Sequence, residues 1–188
     1  TRYVAVGYIE LVRGTPLVAQ LFLLYFGAPF LSKFLRGLPL VGHGLVPAQA
    51  AWVAVIGFTI NSSAYQAEYI RGAIESVDAG QLTAARAVGL DQVSAVRYVV
   101  LPQALRYAIP SWTNEFVYLI KYSSLGAFIT VPELFKAAQN VGSSTFAYTD
   151  VYVLAAVFYL TFVVTATYAM TTVEGAVAIP GVGSADGR

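Results

Sequence analysis

No charged residue occurs anywhere from Val151 to Val173. About 20 apolar residues suffice for a helix to cross the ~30 Å hydrocarbon core of a bilayer, and this run is longer than that. Two further charge-free stretches, Gly14–Ser32 and Gly37–Ala67, repeat the pattern. Across the chain only 11% of 188 residues are charged and 57% are hydrophobic, against roughly 25% charged in a soluble domain. Too little polar side chain remains to coat a globule in water. The expected class is an all-α membrane protein, a polytopic helical bundle.

Four spans are expected: Thr15–Phe34, Gln49–Ile70, Tyr107–Ile129 and Val151–Val173. The third is interrupted by Glu115 and Lys121. Leu38–Pro47, with two prolines and two glycines, is expected to be a loop. Ala138–Asp150, rich in Ser, Thr, Asn and Gly, is expected to join the last two spans. Residues 1–175 then form one transmembrane domain and 176–188 a flexible tail. Thr1–Val12 already reads as structured and carries no signal peptide, so an upstream segment with a fifth span is expected in a full chain. Four spans put Arg2, Arg13, Arg71, Arg86, Arg97, Arg106 and Arg188 on one side and Lys33, Arg36 and Lys136 on the other. The excess marks the first side as cytoplasmic. The segment Gln81–Leu101 is therefore expected inside the cell, and the loop around His43 outside.

Several functions are excluded by what the chain lacks. With no cysteine and a single histidine, no disulfide, thiolate metal site or His-based catalytic constellation can be built. No glycine is followed by lysine, so there is no phosphate-binding loop of the G-x-x-x-x-G-K-[ST] type, and no ATP hydrolysis of its own is expected. A net charge of +1 without a basic run argues against nucleic acid as a partner. No cofactor is expected, and an enzyme is not.

The most informative segment is the cytoplasmic one, GQLTAARAVGLDQVSAVRYVVLPQALRYAIP from Gly80 to Pro110. Ala79–Val88 is a good helical run that Gly89 can end at positive φ. Asp91 can cap a second helix running to about Val100. Pro102 cannot continue that helix and can open the next. The first helix presents Leu82, Ala84, Ala85, Val88 and Gly89, with only Arg86 charged. Such an apolar, small-residue surface in a cytoplasmic loop calls for a protein to cover it.

These residues resemble the EAA loop of ABC-importer permeases, whose pattern is Glu-Ala-Ala, three residues, a glycine, and later leucine or isoleucine followed by proline. Ala84, Ala85, Gly89, Leu101 and Pro102 match it. Thr83 stands where the family usually has glutamate, which removes a charge but leaves the small-residue surface intact. RGTPLVAQLFLLYFG (Arg13–Gly27), AYQAEYIRGAIESVDAGQ (Ala64–Gln81) and NEFVYLIKYSSL (Asn114–Leu125) resemble permeases for polar amino acids (histidine, glutamate, glutamine, arginine or opines). That family usually has an acidic residue or asparagine where this chain has Tyr122. The resemblance implies a permease fold of the type I importer kind in a prokaryotic cytoplasmic membrane. It also implies three partners: an ATPase subunit gripping the loop, an extracytoplasmic solute-binding protein, and a second permease subunit, alike or related.

Helical geometry sorts the polar residues of the third span. Asn114, Tyr118, Lys121 and Leu125 fall along one face, Glu115 and Tyr122 on another. The Asn114–Lys121 face is the candidate translocation path, with Asn61, Ser62 and Gln20 contributing from other spans. Lys121, helped by hydroxyls such as Ser124, is a candidate holder of an amino acid's carboxylate. Interhelical hydrogen bonding and subunit packing account for the same residues equally well. Glu68 and Arg71 are expected to be structural, pairing with a loop or with lipid headgroups, and Trp52 and Trp112 to be interface anchors. The rival readings are an ABC permease for methionine or an oxyanion, and an ion-coupled secondary transporter. The second predicts inverted repeats and unwound midplane helices, neither of which stands out in the sequence.

Overall fold

The computed structural model describes residues 2–27 and 49–177. Every regular element among them is helical: α1 (Arg2–Arg13), α2 (Leu17–Phe26), α3 (Gln49–Glu75), α4 (Ala79–Ala87), α5 (Gln92–Ala95), α6 (Leu101–Tyr122), α7 (Leu134–Thr145) and α8 (Tyr148–Val177). A π-turn, Val96–Val100, joins α5 to α6, and a 3₁₀ segment, Ser123–Ile129, follows α6. The His43 loop, the far end of the first expected span and residues 178–188 of the tail lie outside the described residues. Tyr148–Ala176 is the one helix among the described residues long and apolar enough to cross a bilayer by itself. The pair α1 and α2 qualifies jointly but is bent by 101°.

Two compact units can be distinguished. The first comprises the described residues up to Tyr65 together with Val117–Val164. Its core is Leu21, Val53, Ala54 and Ile129, with Leu17, Leu24, Trp52, Phe58 and Leu125 packed around it. Trp52 is thus core packing and not a headgroup anchor. The sharp bend between α1 and α2 follows from Gly14, Thr15 and Pro16. Pro16 is extended at the start of α2 (ψ 135°), where its missing N–H costs nothing. The second unit comprises Gln66–Phe116 and the described residues from Thr165 on, and it carries α4, α5 and the π-turn.

Three expectations change. The second loop helix does not end before Pro102; it passes through the π-turn into α6, with the Leu101 N–H reaching the Val96 carbonyl. A proline ring in a regular helix clashes with the carbonyl four residues back, and a widened turn just ahead of it makes room. Gln103 Nε2 donates to the Val99 carbonyl at 2.9 Å, supplying a donor beside the proline. Pro110 is inside α6, not at a helix start. The Ser/Thr-rich stretch expected as a loop is mostly the helix α7. Its hydroxyls fold back on its own carbonyls, Ser143 on Gln139 at 2.8 Å and Thr145 on Val141 at 2.8 Å, and Glu133 caps its start by accepting from the N–H groups of Phe135 and Lys136.

Candidate functional site

The segment from Asp78 to Pro102, expected to be cytoplasmic, is built by caps that the sequence supplies locally. Asp78 accepts from the Gly80 N–H at 2.7 Å and starts α4. Gly89 ends it at φ +96°, in the left-handed region that disfavours any residue with a Cβ. Asp91 accepts from the Ser94 N–H at 2.8 Å and the Ser94 hydroxyl at 3.1 Å. Those two bonds, the backbone one first, hold its carboxyl below the usual range. The α4 helix packs against α5 and the π-turn, which buries Ala95 and leaves Ala85 only 6% exposed. Ala85 therefore holds the two helices together and is not part of the open face. That face is formed by Thr83, Ala84, Val88 and Gly89, and Val93 joins them in being exposed. Val88 and Val93 are 81% and 76% exposed, a large apolar solvent cost unless something covers them. The Thr83 hydroxyl donates to the Ala79 carbonyl at 3.3 Å and adds no charge. Leu101 and Pro102 are exposed at the start of α6.

The intramembrane candidates separate into bound and open groups. Gln20 and Asn61 come together: Asn61 Nδ2 donates to Gln20 Oε1 at 3.1 Å. Gln20 Nε2 in turn reaches the Val12 carbonyl at 2.7 Å, the Thr15 hydroxyl at 2.8 Å and the Thr15 carbonyl at 3.1 Å. The last turn of a helix leaves carbonyls without donors, and here a glutamine from α2 supplies one to α1 across the bend. Asn61 is buried. Both side chains are engaged in holding the α1–α2 elbow to α3, so a place on an open path is not where this structure puts them. Ser62 is half-buried beside Asn61 on α3.

Lys121 is exposed near the end of α6, its Nζ 4.2 Å from the centre of the Tyr118 ring, and Tyr118 stacks on Tyr122 at 5.8 Å. An ammonium over a ring face is stabilised by the ring's quadrupole. Ser124 gives its hydroxyl proton to the Lys121 carbonyl at 2.8 Å, so it is not a free donor for a substrate carboxylate. Asn114 is exposed on the same helix. Glu115 is buried and accepts from the Tyr69 hydroxyl at 3.2 Å. Arg71 bonds Glu68 at 2.7 Å and Glu75 at 3.1 Å. Those partners are on its own helix, whereas a loop or lipid was expected.

Residues 1–174 match the family described as the inner membrane component of binding-protein-dependent transport systems. The chain belongs to this family. Among curated relatives of these inner membrane components, it is 41% identical to the probable amino-acid ABC transporter permease protein YckA of Bacillus subtilis, over 84% of this chain and 64% of the relative. It is 38% identical to the nopaline transport system permease protein NocM of Agrobacterium fabrum, over 85% of this chain and 66% of the relative. Identity to the glutamine transport system permease protein GlnP of Escherichia coli is 38%, over 84% and 67%. The chain thus spans about two thirds of the length of these relatives. A crystal structure of an amino acid ABC transporter with histidines matches with a TM-score of 0.76 at 37% identity, covering 93% of this chain and 75% of that one. The fold is that of the transporter permeases, all-α and polytopic.

Two features escaped the sequence reading. Val93 belongs to the open face of the segment from Asp78 to Pro102, and Asp91 as a cap was the only available clue to its direction. Glu133 binds Tyr159 at 2.8 Å, and nothing in the spacing of two residues so far apart announces that contact.

Proposed function

We propose that this chain is the transmembrane permease subunit of an ATP-driven importer that moves a polar amino acid across a prokaryotic cytoplasmic membrane. The amino acid is delivered by an external binding protein, and a separate ATPase supplies the energy. A second permease subunit completes the path. The observation that carries the reading is the cytoplasmic segment itself. In a chain of this family, two capped short helices expose Val88 and Val93 together with Ala84 and Gly89. Apolar surface of that kind is favourable only when covered, and a chain without a phosphate-binding loop must receive its energy by contact. The names of the relatives, amino-acid, nopaline and glutamine permeases, support the substrate class.

Lys121 and Asn114 are the residues assigned to the substrate path, since both are exposed on α6. Uptake of radiolabelled amino acids into proteoliposomes, with ATPase and binding protein present, tests the whole reading. Import must require ATP and persist without an ion gradient; gradient-driven uptake without ATP would replace this reading by a secondary carrier. Lys121→Met is expected to slow uptake while leaving ATPase association intact. Unchanged uptake removes Lys121 from the path.

A further inference from the structure

The stretch between the 3₁₀ segment and α8 is more than a connection. Three contacts lay α7 antiparallel along the first three turns of α8. Gly142 receives the Tyr148 ring so closely that a Cβ there would stand 2.9 Å from Tyr148 Cδ1. The Phe135 ring stacks on Tyr152, centroids 5.6 Å apart and planes 22° from parallel. Glu133 Oε2 accepts from the Tyr159 hydroxyl at 2.8 Å. On α8, Tyr148, Tyr152 and Tyr159 fall on one face at helical spacing.

These contacts set the depth of Glu133. Tyr159 lies three turns along α8 from Tyr148, about 16 Å at 1.5 Å per residue. That is roughly half of the ~30 Å hydrocarbon core. With α8 entering the bilayer at Val151, where its charge-free run begins, Tyr159 and the Glu133 bound to it lie eight residues, about 12 Å, inside, and the 12 residues of α7 run back toward that face. The chain is therefore broken at depth, where backbone groups need protein partners. The 3₁₀ segment closes in a Schellman arrangement: Val131 N–H donates to the Gly126 carbonyl at 2.9 Å and Thr130 N–H to the Ala127 carbonyl at 3.1 Å. Thr130 takes the glycine's place at φ +68°, and its hydroxyl meets that of Tyr25 at 3.2 Å. On the other side of the break, the Glu133 carboxylate accepts from the N–H groups of Phe135 and Lys136.

Glutamate is an unusual cap. Ser, Thr, Asp and Asn do that work with a shorter reach. The extra methylene is what lets one carboxylate both start α7 and meet the Tyr159 phenol on α8. We propose that Glu133 is a positioning residue of the transport cycle: it locks α7 and the break before it to the first half of α8, so that they move as one body while substrate passes. The inference rests on the transport reading above.

The test uses the complete transporter, with ATPase and binding protein, in proteoliposomes. The chain has no cysteine, so Phe135→Cys with Tyr152→Cys provides a defined thiol pair, bridged by a short, cleavable bifunctional reagent. Bridged transporter is expected to import at a rate within about two-fold of the unbridged pair. ATP-driven import that stops on bridging and returns on cleavage overturns the inference, because the two helices must then part. Glu133→Asp keeps a cap but withdraws the reach to Tyr159, and Tyr159→Phe removes the donor. Each is expected to lower the maximal rate about five-fold, on the scale of one lost interhelical hydrogen bond. Half-saturation by loaded binding protein should stay unchanged, and the double variant should lose nothing further. Unchanged rates, or losses that simply add, overturn it as well. If the unaltered complex shows no ATP-dependent import, it is the transport reading that fails, before either arm is read.

Discussion

Gln20 offers the most direct quantitative check on how the first unit is held together. Its side chain makes two part-buried bonds, to the Val12 carbonyl at 2.7 Å and from Asn61 at 3.1 Å, and two exposed ones to Thr15. Exposed groups can find other partners, so only the first two are counted. A net hydrogen bond contributes about 1 kcal/mol, and a buried polar group left without a partner costs about 1–3 kcal/mol. Asn61 is 7% exposed and would be such a group. Gln20→Ala is therefore expected to destabilise the protein by about 2–4 kcal/mol. Interhelical hydrogen bonds inside membrane proteins average about 0.6 kcal/mol and reach about 1.7 kcal/mol in double-mutant cycles, which bounds the part belonging to the Gln20–Asn61 contact alone. The assay is reversible unfolding in mixed micelles of Gln20→Ala, Asn61→Ala and the double variant. A coupling between 0.5 and 2 kcal/mol, roughly, agrees with the contact. Additive losses, with coupling indistinguishable from zero, would show that the two amides do not meet in the folded protein and that the elbow is held by packing.

Three further outcomes concern the segment from Asp78 to Pro102. Gly89→Ala puts a Cβ on a residue at φ +96°, which costs roughly 1–2 kcal/mol. Co-purification with the ATPase should weaken by up to about ten-fold, while Ala87→Ser, inside α4, should leave it unchanged. Val88→Asp and Val93→Asp alter residues that are 81% and 76% exposed, so the melting temperature of the isolated permease should barely move, as for most surface changes of within about 0.5 kcal/mol. Association with the ATPase should nevertheless be lost; retention would place the docking face elsewhere. Asp91, whose carboxyl is held low by the Ser94 N–H, stabilises the loop fully above the ordinary carboxylate range. That contribution is lost as pH falls through its depressed folded value, so acid lability of the segment followed by hydrogen exchange should flatten in Asp91→Asn.

Local chemistry was legible in the sequence, and tertiary pairing was not. Gly89 and Asp91 announce a helix end and a helix start because backbone angle and capping depend on one residue and its nearest neighbours. The break expected at Pro102 failed for a reason equally local but unsignalled: a π-turn ahead of the proline absorbs its clash. Residues 138–145 look like loop because Ser, Thr and Asn compete for backbone partners, yet the cap at Glu133 and the ring contacts of Phe135 and Tyr148 with α8 outweigh that competition. In the sequence Gln20 and Asn61 look like path residues because a polar side chain in an apolar span shows its cost but not its partner. Ala85 matched the family pattern, yet its burial depends on the helix that folds back on it.

The same distinction explains why, among the described residues, only Tyr148–Ala176 is apolar enough to cross a bilayer alone. On the insertion scale a charged residue at a helix centre costs roughly 2.5–3.5 kcal/mol, and each large aliphatic or phenylalanine returns about 0.3–0.6 kcal/mol. Carrying Glu115 and Lys121, α6 comes out near zero or unfavourable, so its place in the membrane must be supplied by its surroundings. The structure shows two ways of doing so. Glu115 is buried and takes a proton donor from Tyr69; Lys121 stays exposed over the Tyr118 ring. A buried, bonded charge stabilises only the packed bundle, whereas an open one requires water or a partner surface at that depth. On the proposed two-subunit assembly, Lys121 is the residue whose environment is expected to change. An environment-sensitive probe on Tyr118→Cys, exposed beneath Lys121, should shift its emission on assembly, whereas a probe on Val157→Cys of α8, exposed on a span apolar enough to face lipid, should not. Equal shifts at both sites would mean that assembly covers α8 as readily as the Lys121 face, and the assignment of that face to the path would be wrong.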